Sequence, residues 1–76
     1  MTGTITRMLP SKGYCFIRGN EDRISRFGHA RGFLDVADFD RAREGQGVEF
    51  VPVVVETGHR ATQIRLLPAG YAVEKL

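Results

Sequence analysis

The sequence predicts an all-β fold, a small barrel of five short antiparallel strands. Two observations lead there. Apolar and β-branched residues come in short runs that alternate at period two, and clusters of Gly, Pro, Asn, Asp and Ser separate the runs. At 76 residues the chain makes one domain, near the lower size at which a hydrophobic core sustains folding. Five short strands in that length cannot bury one face of a flat sheet, so the sheet must curl and close.

Taken in order, Thr2 to Leu9 carries β-branched Thr4, Ile5 and Thr6 and reads as the first strand. Pro10-Ser11-Lys12-Gly13 is a turn, with proline presetting φ and glycine free to take φ > 0. Tyr14 to Arg18 returns as the second strand of a hairpin. Gly19-Asn20-Glu21-Asp22 is polar punctuation, and Ile24 to His29 forms the third strand. From Ala30 to Arg43 the pattern turns irregular, which suits short helical turns in a long connection, with Asp38 as a cap. After the turn Glu44-Gly45-Gln46-Gly47, the run Val48 to Val55 is a fourth strand, in which Pro52 demands an edge or a bulge. Thr57-Gly58-His59 turns the chain, and Ala61 to Leu67 is the fifth strand. Residues 1–67 therefore form the domain, and 68–76 a loosely held C-terminal tail. The long connection between strands three and four matches the way a five-stranded oligonucleotide-binding (OB-fold) barrel crosses between its halves. An SH3-like barrel is the structural rival.

Composition narrows the function classes. A single cysteine excludes an internal disulfide and any multi-cysteine zinc site, which points to a reducing compartment. No apolar run approaches the roughly 20 residues of a membrane span, and no signal-peptide core opens the chain. A soluble, cytoplasmic protein is the expectation, as a monomer or weak dimer. The net charge of +2 is too small to name a polyanion partner by itself. Its distribution says more: Arg7, Lys12, Arg18, Arg23, Arg26 and Arg31 share the first 31 residues with only Glu21 and Asp22.

The second strand holds the sharpest feature. In Lys12-Gly13-Tyr14-Cys15-Phe16-Ile17, Cys15 and Ile17 share one face, and Tyr14 and Phe16 share the other. Two rings on a solvent face beside a lysine make a platform on which unstacked bases can lie. The hexapeptide resembles the first ribonucleoprotein motif of the cold-shock domain family, as found in the small bacterial members, whose usual form is Lys-Gly-aromatic-Gly-Phe-Ile. Cys15 in place of the inner glycine is the departure. Around it, Gly3-Thr4-Ile5, the second-motif segment Arg26-Phe27-Gly28-His29, Glu44-Gly45-Gln46-x-Val48-x-Phe50 and Arg60-Ala61-x-x-Ile64 follow in family order at near-family spacing. The resemblance covers roughly residues 2 to 67. It implies a cold-shock barrel that binds single-stranded RNA or DNA with low sequence specificity, as an RNA chaperone or a regulator of transcription or translation.

Departures from the pattern bear on the site. Arg7-Met8-Leu9 stands where the family carries Trp-Phe-Asn, and the chain has no tryptophan. A guanidinium can still stack on a base and pair with phosphate, and Met8 offers a softer apolar contact. Arg26 and Gly28 replace inward valines, which predicts lost core packing in the third strand. An alternative register would place Gly32-Phe33-Leu34-Asp35-Val36 there instead; it alternates better but loses the histidine.

The nucleic-acid-binding set expected from this reading is Arg7, Lys12, Tyr14, Phe16, Arg18, Phe27, His29, Arg31 and Phe39. Tyr14, Phe16, Phe27 and His29 would stack bases, and the basic residues would follow the backbone. Phe39 has two readings, as a plug for the barrel end or as an extension of the platform. His59, in its Gly-His turn, reads as merely solvated. Cys15 reads as a core residue, and no pair among Cys15, His29 and His59 has zinc-ligand spacing, so no metal is expected. Asp35, Asp38 and Asp40 lack a nucleophile or base partner, so neither catalysis, a small-molecule substrate nor a cofactor is expected. The competing function is a protein-interaction module, OB-fold or SH3-like, that kept the barrel and lost the groove.

Overall fold

The computed structural model describes residues 1–68, so the expected tail lies almost wholly outside the described residues. The strands are β1 (Thr2–Leu9), β2 (Tyr14–Gly19), β3 (Ser25–His29), β4 (Gly47–Val55) and β5 (Gly58–Leu66). They close into a barrel in the order β1-β2-β3-β5-β4. Neighbours are antiparallel except β3 and β5, which run parallel with Phe27 opposite Arg60. A closed ring with an odd number of strands cannot alternate direction throughout, so one parallel pair is obligatory.

The first hairpin forms as its residues dictate. Pro10 opens a 3-10 turn, Pro10–Lys12, and Gly13 closes it at φ 80°, its N–H shared by the carbonyls of Leu9 and Pro10. The connection from β3 to β4 holds a second 3-10 turn, Ala30–Gly32, and a helix α1, Val36–Arg41. Asp35, not Asp38, caps the helix, accepting the N–H of Ala37 at 3.0 Å. Asp38 lies inside the first turn, where it pairs with Arg41 instead. At Pro52 both expected accommodations occur. The β4–β5 register shifts between Glu49 and Val51, and the pairing of β4 with β1 ends at Glu49, before the proline is reached.

Ile5, Cys15, Ile17, Val48, Phe50 and Ile64 fill the barrel at essentially zero exposure. Burial pushes the Cys15 thiol up to about 11, the opposite of what a nucleophilic cysteine requires. The third strand follows the Arg26-Phe27-Gly28-His29 register, with Arg26 and Gly28 inward. Its expected loss of packing does not occur, for two different reasons. Gly28 lies directly opposite Cys15, and a Cβ at Gly28 would already sit 3.3 Å from the Cys15 Sγ and 3.2 Å from Ile64 Cδ1. The bulk that the family motif carries on β3 is here carried on β2.

Arg26 fills its own space differently. It is only 4 % exposed, with its guanidinium carbon 5.3 Å from the centre of the Phe50 ring. Its Nη2 donates to Asp22 Oδ2 at 2.6 Å, and Nη1 to Asp22 Oδ1 at 3.2 Å. Gly19 is what admits this pair, because a Cβ there would fall 2.3 Å from Asp22 Oδ1. The hydrogen bond from Arg26 holds the Asp22 carboxyl down to about 2, from an ordinary 3.8. A depressed carboxylate pKa stabilises the fold fully above the unfolded value, and that contribution disappears as pH falls through the folded value. We predict that urea midpoints of the wild type and Asp22→Asn differ at pH 5 and converge between pH 4 and pH 2. A constant difference across that range would show that the pair does not contribute through its charge.

Candidate nucleic-acid interface

The outward positions of β2 and β3 bring the expected rings together. Tyr14 pairs with His29, Phe16 with Phe27, and Arg18 with Ser25. Ring centroids lie 4.9 Å apart for Tyr14 and Phe27, 5.7 Å for Tyr14 and Phe16, and 6.1 Å for Phe16 and Phe27. His29 stands 6.3 Å from Phe27, so Phe27 is the centre of the cluster. All three aromatic residues are half-buried by one another, yet none enters the core.

His29 is held in one orientation. Its Nδ1 accepts the N–H of Arg31 at 3.0 Å, capping the Ala30–Gly32 turn and leaving the ring hydrogen on Nε2. The N–H of Ala30 donates to the carbonyl of Gly13 at 2.9 Å, which ties the two 3-10 turns together. Lys12 and Arg31, both exposed, are thereby brought to the same end of the ring face. Arg7 is exposed and opposite Phe16 on β1, beyond a bulge at Thr6 that shifts the register. Arg18, half-buried, continues the β2 side of the face. Met8 does not join the face: it pairs with Cys15 and packs against the core.

Phe39 departs from its assignment to the binding set. It is 6 % exposed and packs edge-on against Phe33, the ring centroids 5.5 Å apart. Helix α1 turns it inward as the plug, while Leu34 and Val36 stay exposed. Eight of the nine expected residues thus remain outside the core, and the ninth belongs to it.

Two contributors come from β5 and were not expected. The strand begins at Gly58 (φ 132°), three residues before the expected start, so His59 and Arg60 are strand residues and the turn is Glu56-Thr57. The parallel pairing places Arg60 across from Phe27, with its guanidinium carbon 5.1 Å from the ring centre. Two hollows share Phe27 and Arg60. One, of about 390 Å³, adds Phe16, Ser25, Thr57, Gly58 and His59. The other, of about 250 Å³, runs past His29, Gly32 and Val53. The clue in the sequence was the single basic residue at the start of the alanine-containing strand, but nothing local linked it to Phe27.

No family model and no curated protein matches the chain. Among solved structures, Drosophila Unr CSD456 is similar, with a TM-score of 0.73 and 28 % identity over 91 % of this chain. The chain spans 27 % of the length of that structure. The closed five-stranded barrel, with only short helical turns between its strands, matches the cold-shock type of OB-fold.

Proposed function

We propose that this barrel binds single-stranded RNA or DNA on the outward face of β2 and β3, as the small bacterial cold-shock proteins do. The observation that carries the reading is the cluster of Tyr14, Phe16 and Phe27, mutually in contact on a solvent face and flanked by Arg7, Lys12, Arg18 and Arg31. Leaving that much ring surface in water is costly, and a strand of unstacked bases covers it while its phosphates meet the basic rim. Stacking on rings tolerates any base, so specificity along most of the face is low. Such binding requires neither a catalytic set nor a cofactor, and the role proposed with it is that of an RNA chaperone or regulator in the cytoplasm.

The salt dependence of single-strand binding tests this. With Arg7, Lys12 and Arg18 meeting phosphates, log K is expected to fall against log salt with a slope of about −2, near −0.7 per contact. Arg7→Trp replaces a charge by a stacking ring, so it is expected to raise affinity at high salt and to flatten the slope by up to about 0.7. Arg7→Ala is expected to lose affinity mainly at low salt. If neither variant changes binding, β1 leaves the site. If no oligonucleotide binds any of the three proteins, the barrel is a protein-interaction module.

A further inference from the structure

The larger hollow is chemically unlike the rest of the ring face. Phe16 and Phe27 supply an apolar side, and the β4–β5 hairpin supplies a wall of hydrogen-bonding side chains: Thr57, His59 and Arg60, with Ser25 from β3. Its volume of about 390 Å³ is enough to admit one base. No carboxylate lines it, so its strongest hydrogen-bonding group is a pure donor, the Arg60 guanidinium. That guanidinium lies over Phe27, 5.1 Å from the ring centre, and so stands at the rim of the hollow.

Resting on the reading of the face as a single-strand platform, we propose that this hollow takes one base of the strand and selects guanine through Arg60. A base lying against Phe16 presents its edge toward the hairpin wall. Two adjacent donors of a guanidinium match the two adjacent acceptors O6 and N7 that guanine, alone of the purines, carries on one edge. Adenine sets a donor beside N7, and thymine offers O4 next to a methyl group, so each leaves one guanidinium N–H without a partner. One position in an otherwise tolerant strand is therefore read.

The test titrates the whole chain with a short labelled oligothymidylate and with versions carrying one dG, or one 7-deaza-dG, at each position in turn. 7-Deaza-dG keeps O6 and replaces N7 by C–H, so it removes one acceptor of the pair. At one position dG is expected to bind about tenfold or more tighter than dT, and 7-deaza-dG to lose most of that gain. Arg60→Lys keeps the charge but not the planar fork, and is expected to bring the ratio of dG to 7-deaza-dG affinity close to one. Because both oligonucleotides are measured on the same protein, a general loss of affinity does not mimic that result. A ratio near one at every position of the wild type, or a ratio unchanged in Arg60→Lys, overturns the guanine assignment while oligothymidylate binding leaves the platform intact. Failure to bind any oligonucleotide overturns both.

Discussion

Gly28→Val is expected to destabilise the barrel by about 2–3 kcal/mol, a large share of the roughly 4–11 kcal/mol available to a chain of this size. The first atom added already meets Ile64 Cδ1 at 3.2 Å and Cys15 Sγ and Ile17 Cδ1 at 3.3 Å, and two methyl groups follow it. These neighbours are fully buried and have nowhere to move. Cys15→Gly removes the thiol from the same space and alone is expected to cost about 1–2 kcal/mol, through a cavity and a more flexible strand. Together the two substitutions restore the family arrangement, a small residue on β2 facing a large one on β3. The double variant is expected to be more stable than the sum of the single effects by at least about 1 kcal/mol. Urea denaturation of the four proteins checks it. Additivity within about 0.5 kcal/mol would show that Cys15 and Gly28 do not compensate each other.

Phe27→Ala is expected to weaken single-strand binding by about 3 kcal/mol, the top of the range for loss of one stacking ring. Phe27 touches Tyr14, Phe16 and His29 and lies under Arg60, so its loss disorders the platform on every side. Phe16→Ala, at the edge of the cluster, is expected to cost about 1–3 kcal/mol. Both rings are only half-buried, so urea midpoints should move far less than affinity does. A folded Phe27→Ala protein with unchanged affinity would place the binding face elsewhere on the barrel.

The parts of this structure legible in the sequence are those set by neighbours along the chain. Alternation in Tyr14 to Ile17 assigned each side chain its face, and the Pro10 to Gly13 turn fixed the β1–β2 hairpin that sets Arg7 opposite Phe16. Features set by contacts between distant segments were not legible. Arg60 reaches Phe27 only because the barrel closes with β3 and β5 side by side. Phe39 has the same local surroundings whether it plugs the barrel or faces solvent, and only the docking of α1 against Phe33 decides between them. Arg26 and Gly28 each looked like a loss of core. Arg26 is retained by Asp22 from the preceding turn, and Gly28 by the residue across the ladder, a relation that emerges only from the register. The helix cap was misplaced by one turn because Asp35 and Asp38 are equivalent by residue type, and the backbone bend alone distinguishes them.

The central claim is that the β2–β3 face holds unstacked bases. A labelled single-stranded oligonucleotide and a duplex of the same sequence, titrated with the protein at one physiological salt concentration, test it most directly. Bases in a duplex are stacked on one another and cannot lie on the rings, so the single strand is expected to bind at least about tenfold more tightly than the duplex, as the loss of even one or two ring stacks implies. Equal affinity for the two would mean that the barrel holds phosphates and leaves its rings unused, and would contradict the account.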